Sequence, residues 1–140
     1  MTPDFENLRA DFAILDDWEE RYRHVIELGK ALPVMPEALK SPATKVSGCA
    51  SQVWIHSTPT VDQAGRTLLA LVGDSDALIV KGLIAVAFMI FDRMPVDEVA
   101  AVDAAALFAE LGLKDHLTPQ RANGLASMVA RIKADAAAAS

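Results

Sequence analysis

From about Asp76 to Phe91 the sequence is apolar on nearly every side of a helix, and such a helix is stable in water only where other elements cover it all round. The rest of the chain is therefore read as its covering. The longest uncharged run, Gly82 to Phe91, falls well short of the roughly 18 residues that span a bilayer, so the segment is expected at the centre of a fold rather than in a membrane. A chain of 140 residues can bury about two thirds of its unfolded surface around one core. Neither an internal repeat nor a linker-like change of composition divides it, and the expectation is one α+β domain over residues 1–140.

The covering elements follow from periodicity. Phe5, Leu8, Phe12 and Leu15 recur at helical spacing, and Trp18, Tyr22, Val25, Gly29 and Leu32 make a second stripe. Asp16 and Asp17 can cap the second helix, Glu19 and Glu20 suit its positive end, and Pro33 closes it. After a loop over 36–44 the pattern becomes β-type: Val53 to Ile55, a turn around Pro59 to Gly65, then Thr67 to Val72 as an antiparallel hairpin. Lys45-Val46-Ser47 is expected to add a short third strand, which puts Cys49 at a loop tip between strands. Gly73-Asp74-Ser75-Asp76 is expected to stop the second strand and cap the apolar helix. Pro95 starts a short helix, and Ala104 to Leu111 forms another that ends at Gly112. Thr118 and Pro119 open the last helix, whose buried stripe is Leu125, Met128, Val129 and Ile132; its tail, Ala136 to Ala139, is expected to fray.

Composition narrows the function classes. The net charge is −6 and the lysines and arginines are scattered, so no basic stripe exists to neutralise a phosphate backbone, and nucleic acid is not an expected partner. The start, Met1 to Glu6, has neither the basic residues nor the apolar stretch of an export signal, and the single cysteine suits a reducing compartment; a cytoplasmic location is expected. One cysteine and His24, His56 and His116 lack any paired ligand spacing, and no metal site is expected.

Cys49 itself lies in a run of small residues, Ser47 to Ser51. It can be a small buried hydrophobe or a reactive thiol, and spacing does not decide between them. No local signature supports a cysteine hydrolase, and a dithiol redox mechanism lacks its second cysteine. What remains on the chemical side is work that needs one sulfur, such as carrying a persulfide. Gly48 can adopt positive φ and offers no side chain to obstruct a partner; equally, it can simply make the turn. Arg121 shares a helical face with Leu125, Met128 and Ile132, so it is expected to face something anionic, either a structural carboxylate or a sulfur anion on Cys49. Asp74 and Asp76 read first as helix-terminal residues, with partner contact as a second role.

Several segments together carry a resemblance. Val46-Ser47-Gly48-Cys49-Ala50-Ser51-Gln52-Val53-Trp54 resembles the cysteine loop of the SufE family, the sulfur acceptors that work with cysteine desulfurases. Trp18 to Tyr22 with Glu27-Leu28-Gly29, Gly73 to Ala77 with Val80 to Ile84, and His116 to Arg121 look like further family segments in the same order. The resemblance covers nearly the whole chain.

It implies a small curved antiparallel three-stranded sheet packed against helices, a fold shared with iron–sulfur cluster scaffold proteins. It also implies that Cys49 takes persulfide sulfur from a SufS-type or CsdA-type cysteine desulfurase, stimulates that enzyme, and passes the sulfur to a cluster scaffold. Pyridoxal phosphate would belong to the desulfurase, and this chain would need no cofactor of its own. Gly48, Ser51, Asp74 and Arg121 become candidate loop and partner-binding residues, and a homodimer is implied. Two other readings remain: a docking regulator whose cysteine only packs, and a carrier in a paralogous sulfur-transfer pathway. The clearest departure is Leu107, where some relatives have tryptophan, in an alanine-dominated segment expected to pack more lightly.

Overall fold

A computed structural model describes residues 2–140, the side chain of Lys114 excepted. The chain opens with α1 (Pro3–Ile14) and α2 (Trp18–Lys30). A 3-10 turn at Glu37–Leu39 leads to the hairpin of β1 (Val53–Val61) and β2 (Thr67–Ser75). The remainder is helical: α3 (Leu78–Phe91), α4 (Val96–Val99), α5 (Ala104–Glu110), α6 (Leu113–His116) and α7 (Pro119–Ala139). The architecture is α+β, with α3 at its centre. Ile79, Val80, Gly82 to Phe88, Ile90 and Phe91 are all buried, as a helix without a polar face requires.

Helix α2 crosses α3 at almost backbone contact. A Cβ on Gly82 would lie 2.2 Å from the Val25 carbonyl oxygen, and one on Gly29 would lie 2.5 Å from the Gly82 nitrogen. On the other side, Val53, Ile55 and Leu69 of the hairpin and Leu125, Met128 and Ile132 of α7 belong to the same core as α3. Thr2 and Asp17 cap α1 and α2 through their side chains, and Thr118 caps α7. Among the described residues no helix is long and apolar enough to cross a membrane.

Among the described residues the sheet has two strands, not three. Lys45 makes only an isolated bridge to Trp54, through Val46 N–H to the Val53 carbonyl (2.8 Å) and Ile55 N–H to the Thr44 carbonyl (2.9 Å). The pairing stops there because Thr44 N–H, the next ladder donor, is bonded to the Ser41 carbonyl at 3.1 Å in the preceding turn, and Gly48 turns the chain away at φ 89°; the Arg131 guanidinium of α7 takes the Ala43 and Lys45 carbonyls on the edge that faces away from β1.

Strand β2 also runs further than expected, through Gly73 and Asp74 to Ser75, with Val53 paired to Ser75. Gly73 is not a stop; a Cβ there would meet the Trp54 carbonyl at 2.9 Å and the Phe88 ring at 3.0 Å, so the glycine permits close packing on α3. Asp76 does not cap α3 either: its carboxylate accepts from Gln52 N–H at 3.0 Å, while Ser75 Oγ accepts from Ala77 N–H at 3.2 Å.

The C-terminal tail is helical to Ala139, with Ala136 only 2% exposed, because it lies over β1, where Asp135 accepts a 2.7 Å hydrogen bond from Ser57. Gly112, at φ 75°, ends α5 against Trp18 and launches α6, a short helix that the periodicity did not reveal. In the alanine-rich segment Phe108 is buried and Leu107 packs partly against the core.

Candidate functional site

Helix α7 is the floor of the site. Thr118 Oγ1 accepts from Arg121 N–H at 3.2 Å and Pro119 needs no donor partner, so the first turn is fixed and its side chains are aimed. Gln120, Arg121, Gly124 and Met128 lie at helical spacing on one face. With Val80 and Leu83 of α3 they line a recess of about 250 Å³, and Cys49, Ala50 and Ser51 form its remaining wall.

Cys49 is half-buried. Its Sγ lies 3.6 Å from the Gly124 carbonyl oxygen, a weak S–H contact, and a Cβ on Gly124 would lie 3.5 Å from the sulfur. The loop therefore does not project as a free tip; it folds back on α7. Gly48 makes this fold possible at φ 89°, where a Cβ would also meet Ser127 Oγ at 2.5 Å. Burial pushes the Cys49 thiol up from its ordinary pKa. The expected stabilisation of a sulfur anion by the helix end and Arg121 is thus not what governs the resting thiol; loss of water is.

Arg121 lines the recess and has no carboxylate within salt-bridge distance among the described residues. Its guanidinium donates to the Tyr22 hydroxyl and sits 6.0 Å from the centre of that ring. The carboxylate partner that its position allowed is absent from the geometry, and a phenol on α2 holds the cation instead.

Of the residues that the sequence singled out, Cys49, Ser51 and Arg121 meet at the recess, with Gly48 at the loop's turn. Asp74 does not join them. From its place in β2 it receives Lys40 Nζ at 2.8 Å and Lys81 Nζ at 3.3 Å, and it is an ion-pair junction rather than a helix terminus. Burial pushes its carboxyl up, but hydrogen bonds from Lys40, Ser75 N–H and Lys81 outweigh this and hold it below its ordinary value.

The histidines also lie elsewhere: His116 stacks on Trp18 at 3.8 Å between ring centres, and His24 lies 3.4 Å from Asp11. Neither a histidine nor a carboxylate lines the recess among the described residues, so no adjacent base is available to a cysteine hydrolase there. Nor do three His, Cys, Asp or Glu side chains converge anywhere among them to hold a metal ion.

Sequence reasoning missed Gly124, Ser127 and Tyr22 as parts of this site. Gly124 and Ser127 are three residues apart on α7, and Gly124 follows Arg121 by the same step, so the helical face was available as a signal. Nothing local marks Tyr22 as the partner of Arg121, 99 residues away.

Comparison with known proteins agrees with the fold. The SufE family model, described as an Fe-S metabolism associated domain, matches residues 6–136. An uncharacterized SufE-like protein of Rhizobium meliloti is 52% identical over 126 residues, covering 90% of this chain and 89% of the relative. Another, of Rhizobium etli, is 50% identical over 126 residues, covering 90% of this chain and 84% of the relative. The solution structure of a hypothetical protein from Thermus thermophilus superposes with a TM-score of 0.76, covering 99% of this chain and 97% of that one; at 20% identity this is a likeness of fold.

Proposed function

The chain belongs to the SufE family, whose domain is associated with Fe-S metabolism, and from that premise we propose that it is a sulfur acceptor and carrier for a cysteine desulfurase. The observation that carries this reading is the placement of Cys49. The lone thiol sits on a loop, in a recess with room beside the sulfur and a cation at its edge, and with no base of the kind that would turn it to hydrolysis.

The chemistry balances with one cysteine. The Cys49 thiolate attacks the outer sulfur of the desulfurase persulfide; a new S–S bond forms, the enzyme's S–S bond breaks, and the enzyme cysteine leaves as a thiolate. No electrons are exchanged with a third party. An acceptor thiol, on an Fe–S scaffold or another recipient, then repeats the attack on the outer sulfur and releases Cys49. Arg121 offsets the negative charge of the persulfide. Desolvation in the recess disfavours the Cys49 thiolate, so an engaged partner that lifts the loop would remove that penalty on the nucleophile. Pyridoxal phosphate chemistry stays on the desulfurase.

The test is mass spectrometry with peptide mapping after incubation with a cysteine desulfurase and cysteine. The expected result is sulfur on Cys49, removable by reductant, together with a faster desulfurase that Cys49→Ser no longer stimulates. A bound, active desulfurase that leaves Cys49 unmodified and is stimulated equally by Cys49→Ser would make the protein a docking regulator.

A further inference from the structure

The loop that carries Cys49 is anchored at its ends and almost unsupported between them. Val46 N–H bonds the Val53 carbonyl at 2.8 Å on one side, and Gln52 N–H bonds Asp76 at 3.0 Å on the other. Residues 47–48 form a local turn, and among the described residues the hydrogen bond that ties residues 47–51 to another element is the weak contact of the Cys49 thiol with the Gly124 carbonyl at 3.6 Å. A segment with so few backbone hydrogen bonds belongs to the low-stability end of a fold, and its position is set by what it packs on.

It packs on two small residues of α7. Gly48 approaches Ser127 so closely that a Cβ on the glycine would lie 2.5 Å from Ser127 Oγ and 3.3 Å from its Cβ. One turn earlier on the same face, Gly124 has the sulfur, Cβ and Cα of Cys49 at 3.5, 3.8 and 3.9 Å from where its own Cβ would be. The approach of Gly48 to Ser127 depends on small volume on both sides, whereas at Gly124 the bare helix surface leaves room for Cys49 to rest at ordinary contact distance. Gly48 holds a φ of 89°, a geometry that other residues rarely adopt, so the turn as well as the close approach calls for glycine.

We propose that Gly124 and Ser127 are positioning residues for the sulfur transfer, forming a two-residue seat on α7 whose small volume holds the Cys49 loop retracted and lets it lift. The inference rests on Cys49 being the sulfur-carrying thiol, and it adds the element that sets how often that thiol is offered to a partner. The burial that raises the thiol pKa is a consequence of the seat, so unseating the loop should lower the pKa and expose the sulfur together.

The test is the rate of Cys49 alkylation by iodoacetamide in the isolated protein, followed over a pH series, for the wild type and for Ser127→Ala, Ser127→Val and Ser127→Leu. Cys49→Ser serves as the blank, and circular dichroism confirms folding. Ser127→Ala leaves Gly48 its approach and should keep the wild-type rate and profile. Valine and leucine should speed alkylation progressively and move the profile to lower pH. For each unit the apparent pKa falls, the thiolate fraction below it rises about tenfold and its intrinsic nucleophilicity drops about threefold, a net gain of about threefold at neutral pH. If leucine does not fold, the valine and alanine pair makes the same comparison.

Equal rates and unshifted profiles across the folded variants would overturn the seat. Because the assay contains no desulfurase, that failure is separate from failure of the carrier reading, which is decided by whether sulfur maps to Cys49.

Discussion

At the scale of single residues, the proposed sulfur transfer turns on a thiol that the fold makes less acidic and a cation that lines the same recess. The Cys49 pKa is raised in the native state, so the unfolded chain releases its proton first. Native stability should therefore decline as pH climbs through the ordinary thiol range, and Cys49→Ser should remove that part of the decline; thermal melts of the two proteins over alkaline pH check it. Arg121 is held by the hydroxyl and ring of Tyr22. Arg121→Ala is expected to weaken sulfur transfer to Cys49 strongly. Tyr22→Phe, which keeps the ring and removes the hydroxyl, should weaken it less, with a stability loss of about 1 kcal/mol in urea unfolding. A Tyr22→Phe protein with unaltered stability and a transfer rate as low as that of Arg121→Ala would contradict this division of roles. The candidate residues Cys49, Gly48 and Arg121 were legible because a thiol, a glycine in a run of small residues and a cation on an apolar stripe each break a local pattern. Tyr22 breaks none, since its place on an amphipathic stripe already accounts for it.

At the scale of elements, the decisive contact is the crossing of α2 and α3 through glycine. A methyl group on Gly82 would meet the Val25 carbonyl at 2.2 Å and Val25 Cγ1 at 2.7 Å, and neither α2 nor the buried face of α3 can move away cheaply. Alanine gains up to about 1 kcal/mol in helix propensity, whereas overpacking a tight core costs about 1–3 kcal/mol or more. Gly82→Ala should thus destabilise the protein by about 2 kcal/mol, measured as a lower urea midpoint with an unchanged slope; a stabilised variant would show that the helices can separate freely. The same distinction explains Gly73 and Gly112. Both punctuate the sequence, yet Gly73 continues a strand under Phe88 and Gly112 makes a left-handed turn under Trp18. Periodicity identified α1, α2, α3 and α7 because each repeats over enough residues to show its period; it found the hairpin but cut its first strand short, since β1 continues to Val61 through Pro59 and Thr60, which turn-type composition assigns to the loop. It overextended Lys45 to Ser47 into a strand because β-type composition does not reveal that a turn ends the pairing on either side, where Thr44 N–H bonds the Ser41 carbonyl and where Gly48 takes a φ of 89°.

At the scale of the whole molecule, one carboxylate joins three parts of the chain. Asp74 in β2 receives Lys81 from α3 and Lys40 from the loop after α2, while Lys40 also lies 5.3 Å from the Trp54 ring centre. Its pKa is held below the ordinary carboxyl value, so its stabilising contribution is present above that value and is lost as pH falls through the native one. Asp74→Asn should lower stability at neutral pH and make the acid limb of the stability profile shallower, as seen in melts from neutral to acid pH; an unchanged acid limb would show that the junction contributes nothing to folding. The sequence by itself determined the α+β class, the central apolar helix, the caps at Asp17 and Thr118, and the family to which the cysteine loop belongs. All of these depend on residues within a few positions of one another, where spacing is geometry. Only the tertiary structure decided that the loop rests on Gly124 and Ser127, that Tyr22 holds Arg121, and that Asp74 pairs with Lys40 and Lys81 rather than ending a helix. Those contacts join residues as many as 75 and 99 positions apart, and whether such groups meet is settled by how the helices pack against one another, which no local pattern encodes.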